Sequence, residues 1–206
     1  MENFFSAAGL TFAVLFPLVD PVGAIPVFCS LTGDSSASYR KKTALKTTLN
    51  VFIVLLAFYF VGEFILEFFG ISLGVLKIAG GIIVAHTAWE MLNSKEKLTG
   101  DENKEVAAKE DISFTPMALP LLSGPGAIGA AIGLSIQGSQ NYHTLGVSVG
   151  ILLTSLSVLA SLLLSFPLMK LLGKTGIGVL NKIMGFFILA IAVNLVASGI
   201  MMIYKP

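Results

Sequence analysis

Two short segments hold most of the residues in this chain that could do chemistry. The first reads Asp20-Pro21-Val22-Gly23-Ala24-Ile25-Pro26 and the second Ser123-Gly124-Pro125-Gly126-Ala127-Ile128-Gly129. Asp and Ser are favoured helix N-caps, and Pro is favoured at the first helical position. Pro inside a helix removes a hydrogen bond and clashes with the preceding turn, at about 3 kcal/mol. Pro17, Pro21 and Pro26 crowd the apolar span that holds the first segment, and Pro116, Pro120 and Pro125 the span that holds the second. Both segments read as places where one helix stops and another starts. A helix start carries unpaired N–H groups and about +0.5 of an elementary charge, which suits an anion. The two starts differ in one respect. A carboxylate at Asp20 would attract Na⁺, H⁺ or a substrate ammonium, whereas the neutral Ser123/Gly124 start stays open to a carboxylate. Together they suit a zwitterion. The candidate substrate-binding residues are therefore Asp20, Pro21, Gly23, Ala24, Ser123, Gly124, Pro125, Gly126 and Ala127, with Na⁺ near Asp20 as the one metal considered. Their small side chains favour a compact solute. Kinked helices packed through small residues are the plainer alternative.

The elements that position these segments follow from composition. The chain has 206 residues, of which 55% are hydrophobic and only 12% charged, with a mean hydropathy of +0.87. A soluble domain needs roughly a quarter of its residues charged. A net charge of +1 gives no basic face for nucleic acid, and the single Cys29 permits no internal disulfide. A polytopic membrane protein in contact with the lipid bilayer is the class that remains. A crossing takes about 20 apolar helical residues. Six helices are expected, near 4–32, 45–68, 71–92, 114–138, 145–169 and 177–203, the fourth and fifth parted at Gly138–Thr144. The N-terminal run lacks a basic leader and a cleavage site, and reads as a retained span.

Eleven of the thirteen basic residues, from Arg40 to Lys182, fall at the three odd-numbered loops; Lys77 and Lys205 do not. The positive-inside rule then places those loops in the cytoplasm and both termini outside. The segment Asn93–Asp111 carries ten of the twenty-five charged residues. It reads as a solvated linker, with a docking loop as the alternative.

Asp20–Pro26 and Ser123–Gly129 share Gly-Ala-Ile at an offset of 103 residues, and Gly74–Gly80 lines up with Gly178–Gly185 with one residue inserted. Two matches in the same order indicate a duplication. Each half holds three spans, so the second half enters the membrane from the opposite side, as in secondary transporters with inverted repeats. The expected fold is an all-α membrane protein of six transmembrane helices, with helices 1 and 4 broken at the Pro-Gly motifs. Residues 1–92 form one three-helix repeat, 93–111 the linker and 112–206 the second repeat.

Other polar residues are less telling. Glu63 and Glu67 lie one turn apart and read as an interfacial charge cluster near Lys77. His86 and Glu90 have the spacing of two metal ligands without a third. Asn50 and Asn194 could bond across helices or line a pathway, and Cys29 reads as a small core residue. No nucleotide loop, catalytic triad or zinc motif is present, so no catalytic residue and no cofactor beyond a coupling ion is expected, and no enzyme.

The segments Asp20–Phe28 and Pro120–Ile128, with six spans and a charged central loop, resemble the MarC family of bacterial and archaeal integral membrane proteins along essentially the whole chain. The resemblance implies a plasma-membrane location, in bacteria the inner membrane. It also implies similarity to the SnatA-type Na⁺-coupled transporter of small neutral amino acids and to exporters of the LysE-like superfamily. The expected function is thus secondary transport of glycine- or alanine-like amino acids. An exporter or channel for another small solute, or an assembly or regulatory membrane protein, are the alternatives. Nothing in the chain decides for or against a homo-oligomer.

Overall fold

A computed structural model describes residues 2–93, 111–135 and 141–204. The described residues are helical and contain no strand. In chain order the elements are α1 (Glu2–Val19), α2 (Ala24–Thr32), α3 (Ala37–Phe69), α4 (Leu73–Leu92), α5 (Ser113–Leu122), α6 (Pro125–Ser135), α7 (Asn141–Leu163) and α8 (Ser165–Tyr204). Four helices are long and apolar enough to cross a membrane: α3, α4, α7, and α8 from Thr175. The pairs α1–α2 and α5–α6 qualify only when each is taken together, bent by 54° and 70°. The described chain thus has four to six candidate spans. The central linker, apart from its ends, and residues 138–140 of the expected Gly138–Thr144 turn lie outside the described residues, while residues 141–144 already belong to α7.

Three boundaries differ from expectation. Helix α3 starts eight residues earlier, at Ala37, because the Ser36 side chain accepts a hydrogen bond from the Tyr39 N–H at 3.2 Å. Arg40, Lys41, Lys42 and Lys46 are therefore on the helix and not in a loop. Element α5 is a wide coil rather than an α-helix, with i→i+5 bonds from Met117 N to Ile112 O (3.2 Å) and Ser123 N to Ala118 O (2.7 Å). Thr115 and Leu119 inside it are extended, since a residue preceding Pro is pushed out of the helical region. The fifth and sixth helices nearly meet. Leu164 is the one residue between α7 and α8, and the expected break appears instead as a kink at Gly173, whose φ of +64° favours glycine.

Small residues set the lateral packing. A Cβ on Gly146 would lie 2.7 Å from Ala7 Cβ, and one on Gly150 2.5 Å from Thr11 Cβ, so α1 and α7 run parallel in close contact. Along α3, Lys46 pairs with Asp111, Asn50 Nδ2 donates to Ser113 Oγ at 3.4 Å, and Gly62 faces Ile132. α3 therefore runs parallel to α5–α6. Gly74 faces Gly199 and Gly81 faces Ala192, so α4 and α8 are antiparallel. Among the four long helices, the most apolar 18-residue stretches of α4 and α8 are the least buried, 22% and 17% against 44% for α7. Their outer faces carry exposed Ile82, Trp89, Phe186, Phe187 and Val193, as lipid requires.

Two sets of contacts gather the odd-numbered connections at one end. The Arg40 guanidinium donates to the carbonyls of Thr32 (3.1 Å) and Gly33 (3.0 Å), which end α2, and lies 3.9 Å over the Phe166 ring at the start of α8. Lys46 pairs with Asp111 at the start of α5. Hydrogen bonds from Lys46 and then from the Ser113 side chain and N–H hold the Asp111 carboxyl at about 2. That value is below the unfolded one, so the contribution of the pair is complete above about pH 4 and is lost as pH falls towards 2. Both partners are half-exposed, and the contribution is small.

Candidate functional site

The first break is built by Asp20. Its N–H still donates to Phe16 O at 3.1 Å, which closes the last turn of α1. Its φ of +49° then turns the chain, and Pro21, lacking an N–H, cannot continue the helix. The Asp20 side chain folds onto the next turn of the chain: Oδ1 accepts the Gly23 N–H at 3.0 Å, while the Asp20 carbonyl accepts the Ala24 N–H at 3.3 Å. The Asp20 side chain thus caps the Pro21–Gly23 turn, whereas α2 itself starts at Ala24 with Gly23 in its N-cap position and no side-chain cap, so the expected helix start at Asp20-Pro21 lies one turn ahead of the helix. Asp20 is 3% exposed, and Pro21, Gly23 and Ala24 are buried. Gly23 has ordinary helical dihedrals.

The second break is built differently. Gly124 O accepts the Ile128 N–H at 3.0 Å and opens α6, with Pro125 as its first residue. Ser123 immediately precedes this start. Its side chain is fully buried, and its Oγ has no hydrogen-bond partner. Ala127 is buried, Gly124 and Gly126 are half-buried, and Pro125 is exposed. A Cβ on Gly126 would lie 2.4 Å from Val84 Cγ2 on α4 and 3.9 Å from Leu18 Cδ2 on α1. The space expected beside Gly126 for a solute is therefore occupied by Val84, and a branched residue there acts first on packing. Gly133 has no neighbour within 4 Å of such a Cβ.

The fold brings the two breaks together. Val19 and Ala24, flanking the first, share one buried cluster with Leu122 and Ala127, flanking the second, and with Phe28 and Met117. Asp20 and Ser123 are buried at the two breaks, while Pro125 at the second is exposed.

A model of MarC family integral membrane proteins matches residues 5–204. The chain belongs to the MarC family. Membrane protein YhcE of Escherichia coli (strain K12) is 39% identical over 196 residues, covering 92% of this chain and 89% of the relative. Membrane protein YvbG of Bacillus subtilis (strain 168) is 35% identical over 197 residues, covering 92% of each. Inner membrane protein MarC of Escherichia coli O1:K1 / APEC is 31% identical over 218 residues, covering 100% of this chain and 99% of the relative. No solved structure matches. This MarC-family chain is an integral membrane protein with transmembrane helices.

The remaining candidates lie away from the breaks. Glu63 and Glu67 are exposed and line a hollow of about 360 Å³ with Gly70 and Ser72 at the α3–α4 connection. His86 is exposed on α4, and among the described residues no three His, Cys, Asp or Glu side chains converge on a metal position. Asn50 bonds across helices, whereas Asn194 is exposed on α8. Cys29 is half-buried, with Ser165 and Arg40 beside it. The sequence reading missed Thr11 and Thr47, fully buried hydroxyls without a partner, and the Arg40 clamp. The apolar setting of each Thr is a signal for burial, but its missing partner is a property of the fold.

Proposed function

We propose that this protein is a secondary transporter of small neutral amino acids such as glycine and alanine, coupled to Na⁺ or H⁺. The observation that carries this reading is the pair of mid-span breaks, at corresponding places in the two halves, meeting in one buried core. Irregular backbone is tolerated at membrane depth only where protein buries it or a cavity meets it, and discontinuous helices of this kind hold the solute in known transporters.

The packing supports six spans arranged as inverted repeats, 1–92 and 112–206. Number the spans one (α1–α2), two (α3), three (α4), four (α5–α6), five (α7) and six (α8). Span one packs on five, four on two, and three on six, while the second half of one touches six and the second half of four touches three. Exchanging one with four, two with five and three with six leaves this pattern unchanged. Alternating access then follows from two nearly equivalent halves trading roles. In this reading Asp20 faces the coupling cation or the ammonium, and the α6 start faces the carboxylate.

The relative named as an inner membrane protein supports the same location here. The clustering of odd-numbered connections with Arg40 and Lys46 supports a cytoplasmic end there, with both termini outside. Tags at both ends should react in intact cells, and a protease site within 94–110 only after lysis; cytoplasmic termini reject this topology.

Proteoliposomes are expected to accumulate labelled glycine and alanine above equilibrium only when a Na⁺ or proton gradient is imposed. Downhill flux indifferent to both gradients would establish the channel alternative instead. No flux of either amino acid rejects the proposed substrate.

A further inference from the structure

We propose that the Ser123 hydroxyl is a direct ligand of a carboxylate, acting with the Gly126 and Ala127 N–H groups at the start of α6; the identity of that carboxylate as an amino acid's rests on the transport reading above. Three observations converge. Ser123 Oγ is fully buried and makes no hydrogen bond, although buried polar groups are nearly always satisfied. It stands one residue ahead of Gly124, whose carbonyl takes the Ile128 N–H, so it lies at the mouth of an eleven-residue helix. Gly124, Pro125, Gly126 and Ala127, which follow Ser123, bring no polar side chain of their own to that start.

The comparison with the other break decides the sign of the ligand. Ahead of α2 the Asp20 side chain accepts the Gly23 N–H at 3.0 Å, in the turn that leads into the helix. At α6 the equivalent residue by the 103-residue offset is Ser123, which brings a donor and no negative charge. The sequence therefore supplies a carboxyl group at one break and a hydroxyl at the corresponding position of the other. A hydroxyl and two N–H groups are all donors, and a carboxylate can accept from all of them. A cation would face the positive end of the helix, and a neutral hydroxyl ligand would leave donors unmatched. Val84 and Leu18, packed beside Gly126, limit the space and so favour a short acid.

The proposal predicts opposite effects of Ser123→Ala on stability and on binding. In the full-length protein in detergent, the unliganded variant should melt at the wild-type temperature or above it, because an unsatisfied hydroxyl has left an apolar setting. Its affinity for glycine and for acetate, measured by calorimetry, should fall about 10- to 100-fold, the size of one hydrogen bond to a charged group. Glycine methyl ester should bind weakly and equally to both proteins. Equal affinity of wild type and variant for glycine and acetate overturns the proposal, as does wild-type protein that binds neither. A lower melting temperature with unchanged relative affinities also overturns it, because the hydroxyl would then serve the fold alone. Uptake by the same two proteins separates this site from the transport reading. Ser123-dependent binding without amino-acid uptake retains the site and rejects amino-acid transport. Uptake unaffected by Ser123→Ala retains transport and rejects the site.

Discussion

On the proposed transport reading, Asp20→Asn is expected to leave the protein folded and to cut gradient-driven uptake about 10- to 100-fold. The structure explains why these two effects separate. Asp20 Oδ1 accepts the Gly23 N–H, and the residue sits at φ +49°. Asn caps helices as well as Asp and is one of the few residues that tolerate the left-handed region. The amide oxygen can take over the cap, so the bend between α1 and α2 survives. What disappears is the carboxyl group of a side chain that is 3% exposed, in what the six-span reading makes the middle of a span. An ionised group at that depth costs about 2.5–3.5 kcal/mol on insertion scales, a cost that a coupling cation or a substrate ammonium would offset. Losing one charge-assisted contact should weaken coupled uptake about 10- to 100-fold. Asp20→Ala is the structural control. It loses the cap, about 1 kcal/mol, and puts Ala into a left-handed conformation at about 1–2 kcal/mol, so its melting temperature should fall as well. Wild-type uptake by a well-folded Asp20→Asn protein would remove the charge from the mechanism and leave Asp20 as a cap.

The largest loss of stability is expected from Gly150→Val. A Cβ at Gly150 would stand 2.5 Å from Thr11 Cβ and 2.8 Å from Ala8 O. The carbonyl belongs to the α1 backbone and cannot rotate away, so the whole of α1 must move outwards from α7. Overpacking of this kind costs about 1–3 kcal/mol, and more where the backbone cannot shift. For a chain of this length each kcal/mol lowers the melting temperature by about 2–4 °C, so a fall of about 3–10 °C is expected in detergent. Gly129→Val and Gly133→Val are the controls, since beyond the adjacent residues and the helix's own backbone nothing lies within 4 Å of a Cβ at either position; each should shift it by less than about 2 °C. A Gly150→Val protein as stable as these controls would show that α1 and α7 do not meet as closely as these distances require. Gly126→Val belongs with Gly150→Val, because Val84 fills its space, and a loss of binding there would not by itself report on a solute.

The amino-acid sequence by itself determined the class of protein and the position of both breaks. Apolar composition leaves only the membrane, and proline's missing N–H interrupts a helix whatever surrounds it. The Asp20–Gly23 hydrogen bond was legible for the same reason, since its partner is three residues away, although α2 itself starts only at Ala24. The extended residues Thr115 and Leu119 inside α5 follow a rule equally local, that of the residue before proline, which the plain hydropathy reading passed over. The early start of α3 turned on one Ser36 side chain.

Tertiary structure decided the rest. Val84 against Gly126, Thr11 against Gly150 and Arg40 over Phe166 join residues far apart in the chain. The unpartnered Ser123 hydroxyl is likewise a fact about its neighbours. The physical reason lies in the solvent. In water an apolar stripe marks the face that must be buried, and sequence periodicity reveals it. In lipid every helix face is apolar, so no such stripe marks the contact. Which faces meet is settled by the fit of small residues against particular backbones, and that fit exists only once the helices are side by side.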